Sequence, residues 1–134
     1  MATTADRNTP HKDGKLLEVG VAAATTIHAG AMVARNSAGY LVPAADAAGL
    51  AVLGMAEEAA DNSGGADGDL SVPVRRKRAF RFANSAANPV TLAHLGTAVY
   101  VEDDETVASA GGTNSIVAGT CLDVDSGGVW VEIG

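Results

Sequence analysis

The strongest chemical feature of this chain is a run of cations. Arg75, Arg76, Lys77, Arg78 and Arg81 place five positive charges within seven residues. Guanidinium groups there suit carboxylates or phosphates, which they grip in a planar, bidentate way. The matching anionic feature is Glu102-Asp103-Asp104-Glu105, four carboxylates in succession. Paired carboxylates do acid–base work when burial drives their pKa values apart. These four sit at a predicted hairpin tip, where hydration keeps them ionised, and they read first as a solvated hairpin turn, with cation binding or contact with a basic partner as the alternatives. The three histidines, His11, His28 and His94, are widely spaced and show no metal-ligand pattern. Cys121 is the single cysteine, so no intrachain disulfide forms. A nucleophilic thiol needs a base and electropositive surroundings. Its neighbourhood is acidic, and it reads as a small buried apolar residue. The stretch DNSGGADGD (Asp61–Asp69) is rich in glycine but lacks the phosphate-loop order and a following helix. Its Asp61, Asp67 and Asp69 lack the EF-hand order as well. It reads as a solvated connection. We therefore expect no enzyme, cofactor, metal or small-molecule substrate.

The net charge is −7, yet outside residues 75–81 the chain has 4 basic against 16 acidic residues, a balance of −12. After Arg81 there is no Lys or Arg, while seven acids remain. This separation into a positive and a negative band favours docking between like molecules, or onto oppositely charged proteins. It disfavours a nucleic-acid binder, whose footprint would be basic. Two competing readings of the basic run are an edge strand guarded by long cations and a single-strand nucleic-acid surface that stacks bases on Phe80 and Phe82.

Short strands must position these groups. Leu17, Val19 and Val21 alternate. Ala31–Arg35 and Tyr40–Pro43 flank the turn Asn36-Ser37-Ala38-Gly39, and Leu50–Glu57 follows. Leu70–Phe82 reads as one long alternating strand with Val72, Val74, Arg76, Arg78, Phe80 and Phe82 on one face. Two cations on an otherwise apolar face imply partial burial, or burial against the acids of another subunit. Thr97–Val101 and Thr106–Ser109 flank the acidic turn, and Ile116–Val124 and Val129–Ile133 close the chain. Thr91–Leu95 forms one helical turn at most. Turn signals every 8–12 residues indicate an all-β chain.

The pattern also repeats. TIHAG (Thr26–Gly30) is echoed by TLAHLG (Thr91–Gly96), GAMVARNSAGYLV by GTAVYVEDDETVA, and AVLGMAEEAAD by IVAGTCLDVDS, which sets Gly54 on Gly119. Two similar β-hairpin units, each covering the apolar face of the other, make a small barrel or sandwich with few free edges. Glycines inside strands mark bulges or close backbone approach. Apolar residues are 47% but aromatics only 4%, so the core is built from small and β-branched side chains. Trp130, Phe80, Phe82, Tyr40 and Tyr100 are its expected large pieces. Residues 1–15 have no periodicity and form a flexible arm bearing Arg7, His11, Lys12 and Lys15, ahead of one β domain over 16–134. The polar N-terminus has no signal core, and the apolar run Ala47–Ala56 is too short to span a bilayer. An intracellular, soluble product with no membrane partner is expected.

Three stretches carry a resemblance: LGMAEEAADNSGGADGDLSVPVRRKRAFRF (Leu53–Phe82), VTLAHLGTAVYVEDDETVA (Val90–Ala108) and AGTCLDVDSGGVWVEI (Ala118–Ile133). They resemble the small capsid decoration, or cement, proteins of bacteriophages, a family once misannotated as a phage recombinase. One departure is Lys77-Arg78-Ala79, where a glycine is common in the family. The resemblance implies a structural protein on the outer surface of the virion head, made in the bacterial cytoplasm. It would be a homotrimer bridging capsomers of the major capsid protein and holding the shell against packaged DNA, with no direct nucleic-acid contact. Arg75, Arg76, Lys77, Arg78 and Arg81 would meet acids of a neighbour, as Glu102, Asp103, Asp104 and Glu105 would meet cations. The arm would order on the shell, and Trp130 and Tyr100 would anchor the core. The alternatives are a nucleic-acid-binding protein using residues 75–81, another virion protein of the tail, and a small hydrolase using Asp103, Asp104 or Asp123.

Overall fold

The structure is a computed structural model and describes residues 1–134. Twelve strands follow one another: β1 (Leu16–Gly20), β2 (Thr25–Ile27), β3 (Met32–Arg35), β4 (Leu41–Pro43), β5 (Ala51–Ala56), β6 (Ala60–Asn62), β7 (Ser71–Arg75), β8 (Arg78–Asn84), β9 (Ala98–Val101), β10 (Thr106–Ala108), β11 (Val117–Asp125) and β12 (Gly128–Ile133). A single 3-10 turn, Leu92–His94, precedes β9. The fold is all-β, and no helix is long and apolar enough to cross a membrane.

The strands form two five-stranded units with one connectivity. In the first the order is β1-β7-β5-β3-β4, and in the second β8-β12-β11-β9-β10 closes into a barrel. The closure is a parallel pairing of β10 with β8, Val107 opposite Asn84. The first unit closes at the corresponding place with one parallel bridge, Val21 to Leu41. Matching hydrogen bonds extend the correspondence. Ala22 N–H donates to Leu41 O as Ser85 N–H donates to Val107 O, and Gly30 N–H donates to Ala56 O as Gly96 N–H donates to Cys121 O. The predicted pair of glycines is the clearest mark. A side chain on Gly54 would collide with the Arg75 carbonyl, and one on Gly119 with the Glu132 carbonyl. In each unit the glycine strand also shifts register against the opening strand, β5 against β3 and β11 against β9. The missing Cβ lets the next strand's backbone cross closely at a bulge, which bends the sheet toward closure.

Each unit has its own core. The first buries Val21, Ile27, Val33, Leu41, Ala56, Val72 and Val74. The second buries Phe82, Val99, Val101, Val107, Cys121, Val129, Val131 and Ile133 among others. Strand β3 joins them: Val33 belongs to the first core, while its neighbours Met32 and Ala34 belong to the second. This is the period-two alternation of a strand used on both faces. Each fully buried valine contributes about 1.5–3 kcal/mol.

Two expectations are corrected. Trp130 and Tyr100 do not anchor the core, and of the five aromatics only Phe82 is buried. Valines occupy both positions beside each of them, Val129 and Val131, Val99 and Val101, and fill the interior. A five-stranded barrel has room for few large rings, and Phe82 takes that room. Nor is Leu70–Phe82 one strand. It breaks at Arg76-Lys77, β7 ends in the first unit and β8 starts in the second. Arg76 therefore lies in neither strand, and Arg78 keeps the face of Phe80 and Phe82 at the start of β8 but is separated from Val72 and Val74 in β7. Lys77, at φ 60°, makes the break. That left-handed conformation suits glycine better than lysine. Both strands lie inside their sheets rather than at an edge, so edge protection does not account for the cations.

Candidate interaction site

The five cations divide into two sets. Arg75 Nε donates to Glu57 Oε1 at 2.7 Å, a half-buried pair within the chain. Arg81 lies over the Trp130 ring, 5.7 Å from its centroid, and 4.0 Å from Asp125 Oδ1. Arg76, Lys77 and Arg78 meet no acid of the chain. Arg76 Nε is buried and has no hydrogen-bond partner. Lys77 and Arg78 are exposed. The base of the arm joins them, because Arg76 N–H donates to Lys15 O at 2.9 Å and Lys77 Nζ lies beside Gly14. Lys15 thus adds a fourth charge to this crossover. Residues 1–13 form no strand or helix, and Arg7, His11 and Lys12 are exposed.

The acidic turn is equally divided. Glu102 Oε1 accepts a 2.6 Å bond from Ser85 Oγ, and Asp103 Oδ1 accepts from Glu105 N–H. The carboxylates of Asp104 and Glu105 accept nothing from the rest of the chain. Both charged features abut β8. The cationic crossover sits at its Arg78 end, and Glu105 O accepts from Ala83 N–H at the other. Seven residues of strand separate them by about 20 Å.

The two units meet at the acidic end. Met32 N–H donates to Asp104 O at 2.8 Å, and a cleft of 410 Å³ lies between His28, Ala29, Gly30 and Ala31 on one side and Asp104 and Glu105 on the other. Sequence reasoning missed this cleft, whose walls lie over seventy positions apart. It also missed three exposed leucines, Leu92, Leu95 and Leu122, each 45–62% accessible. The Gly96 N–H bond to Cys121 O ties their two segments together. The one available signal was Leu92 and Leu95 at helical spacing beside a polar turn.

No family model, curated protein or solved structure matches this chain.

The other candidates sit as follows. Cys121 is fully buried, and burial raises its thiol pKa. His94 Nδ1 faces the Thr91 N–H and hydroxyl and caps the 3-10 turn, and His28 lines the cleft. No three His, Cys, Asp or Glu side chains converge as a metal site would need. In the Asp61–Asp69 loop all three aspartates accept backbone N–H bonds, from Ser63, Ala23 and Ala66 respectively. Phe82 points into the barrel, so Phe80 and Phe82 offer no paired stacking surface.

The carboxyl of Asp125 is held below its ordinary value of 3.8, first by the Trp130 indole N–H and then by the Gly127 N–H. Asp46 is lowered by the backbone N–H groups of Thr113 and Asn114, and Asp61 by Ser63. A depressed folded-state pKa gives stability that is present above the unfolded value and lost as pH falls through the folded one. Trp130 is the only tryptophan, so its emission reports this bond. We expect an acid transition in that emission with its midpoint below 3.8, absent in Asp125→Asn.

Proposed function

We propose that this chain is a phage head decoration protein. It binds the outer surface of the icosahedral shell as a homotrimer and bridges neighbouring capsomers of the major capsid protein. The observation that carries the reading is the placement of unpaired charge. Lys15, Arg76, Lys77 and Arg78 gather at one end of the second barrel, and Asp104 and Glu105 at the other. The chain leaves these charges unsatisfied at separate places, as a protein held between other proteins would. The resemblance of residues 53–133 to decoration proteins supports the same reading. So does the exposed arm, which can add a strand to a sheet edge once a partner presents one. Several modest contacts per trimer combine through avidity. The exposed Leu92, Leu95 and Leu122 add apolar area that charge alone does not give.

The test is binding to undecorated heads of the phage that encodes the chain. The expected result is saturable co-sedimentation, with gold-labelled protein on heads in negative stain. Deleting residues 2–14 is expected to lower occupancy at least tenfold. Label on tails, or no binding, overturns the reading. Unchanged occupancy after the deletion removes the arm from it.

A further inference from the structure

We propose that the cleft between the His28–Ala31 loop and the Asp104–Glu105 turn receives the Lys77–Arg78 crossover of a second copy of this chain. The inference rests on the self-association contained in the proposed function and names the surfaces that carry it. The cleft is open and 410 Å³ in volume, with Ala29, Gly30 and Ala31 along one wall. Small residues there leave room for the methylene stem of a lysine or arginine. The wall opposite carries Asp104 and Glu105, the two carboxylates of the turn that take no bond within the chain.

The crossover is the complementary shape. It leaves the barrel at Lys77, the one residue between β7 and β8 with a positive φ, and bears exposed Lys77 and Arg78 without acidic partners. One molecule cannot join its own two surfaces, because β8 holds them at opposite ends. A second copy can, since every chain brings one cleft and one crossover. Such a contact is heterologous, head to tail. It closes into a ring when the rotation between copies allows, and extends as a filament when it does not. Because the pairs lie at a hydrated rim, the contact weakens as salt rises.

The test is sedimentation of the full chain and of two charge-reversed variants, Lys77→Glu/Arg78→Glu and Asp104→Lys/Glu105→Lys. Each variant alone is expected to dissociate at least tenfold more readily than the wild type. A mixture of the two is expected to associate again with both species in the complex, because each reversed surface now fits the other variant. Lys77→Gly/Arg78→Ala provides a second route: glycine suits the positive φ, so the fold is kept while both charges go. It too is expected to dissociate. Wild-type association in that variant, or a mixture of the reversed pair that stays dissociated, overturns the cleft pairing. If the wild type is monomeric at its highest soluble concentration, the second copy is removed as occupant. Binding to heads, measured separately, then still decides the decoration reading.

Discussion

Gly119→Ala is expected to cost about 3 kcal/mol of folding stability and lower the melting temperature by about 10 °C. The added Cβ would collide with the Glu132 carbonyl and stand 2.9 Å from Val131 Cγ1. Neither neighbour can move freely. Val131 is fully buried, and β12 pairs on both sides, with β11 and β8. Against a total of about 5–15 kcal/mol, such a loss is a large fraction. The internal duplication extends the expectation to Gly54→Ala, whose Cβ would meet the Arg75 carbonyl in the same way. Gly64→Ala is the control, with nothing within 4 Å and an expected change within about 0.5 kcal/mol. Thermal unfolding of the three variants checks this. Equal melting temperatures would show that the two glycines are not points of close crossing.

The second large effect is at Asn62, buried at the end of β6. Its Nδ2 donates to Ala22 O at 2.9 Å and Ala66 O at 3.0 Å, and lies 3.3 Å from Val21 O. This amide pins the Asp61–Asp69 loop to the end of the first unit. Asn62→Ala is expected to cost about 2 kcal/mol, because buried carbonyls lose their donor. Asn62→Asp is expected to cost more at neutral pH, since an ionised carboxylate would face carbonyl oxygens with no proton to offer. That penalty is expected to shrink as pH falls and the carboxyl protonates in the folded state. Denaturant unfolding at pH 7 and pH 4 checks both variants. Wild-type stability in Asn62→Ala would show that the amide is not holding the loop.

Much of this architecture is legible in the sequence, for identifiable reasons. Asn36 makes its turn through its own side chain, whose Oδ1 accepts from Ala38 and Tyr40 N–H. Asp125 does the same for the last hairpin with Gly127 N–H. Such short-range bonds follow from residue type alone. The repeat is legible through Gly54 and Gly119 because close crossing excludes any other residue there. The break at Lys77 is not legible. Lysine carries no turn signal, and Val72, Val74, Phe80 and Phe82 alternate across it as if the strand continued. Trp130 and Tyr100 mislead because period two fixes which residues share a face but not which face is inside. The valines beside them fit the narrow barrel, so the aromatics turn outward. Within the candidate site, the two charged segments are plain in the sequence. Which of their members are already paired is decided by contacts across the fold, such as Glu57 with Arg75 and Ser85 with Glu102.

The function we propose is that of a mechanical fastener on a shell under load. Its most direct test is the temperature at which full heads release their DNA, measured with and without the protein. Heads lacking it are expected to release DNA at a lower temperature, and adding the purified chain back is expected to restore the original value as its sites fill. Release at the same temperature from bare and fully occupied heads would contradict the account.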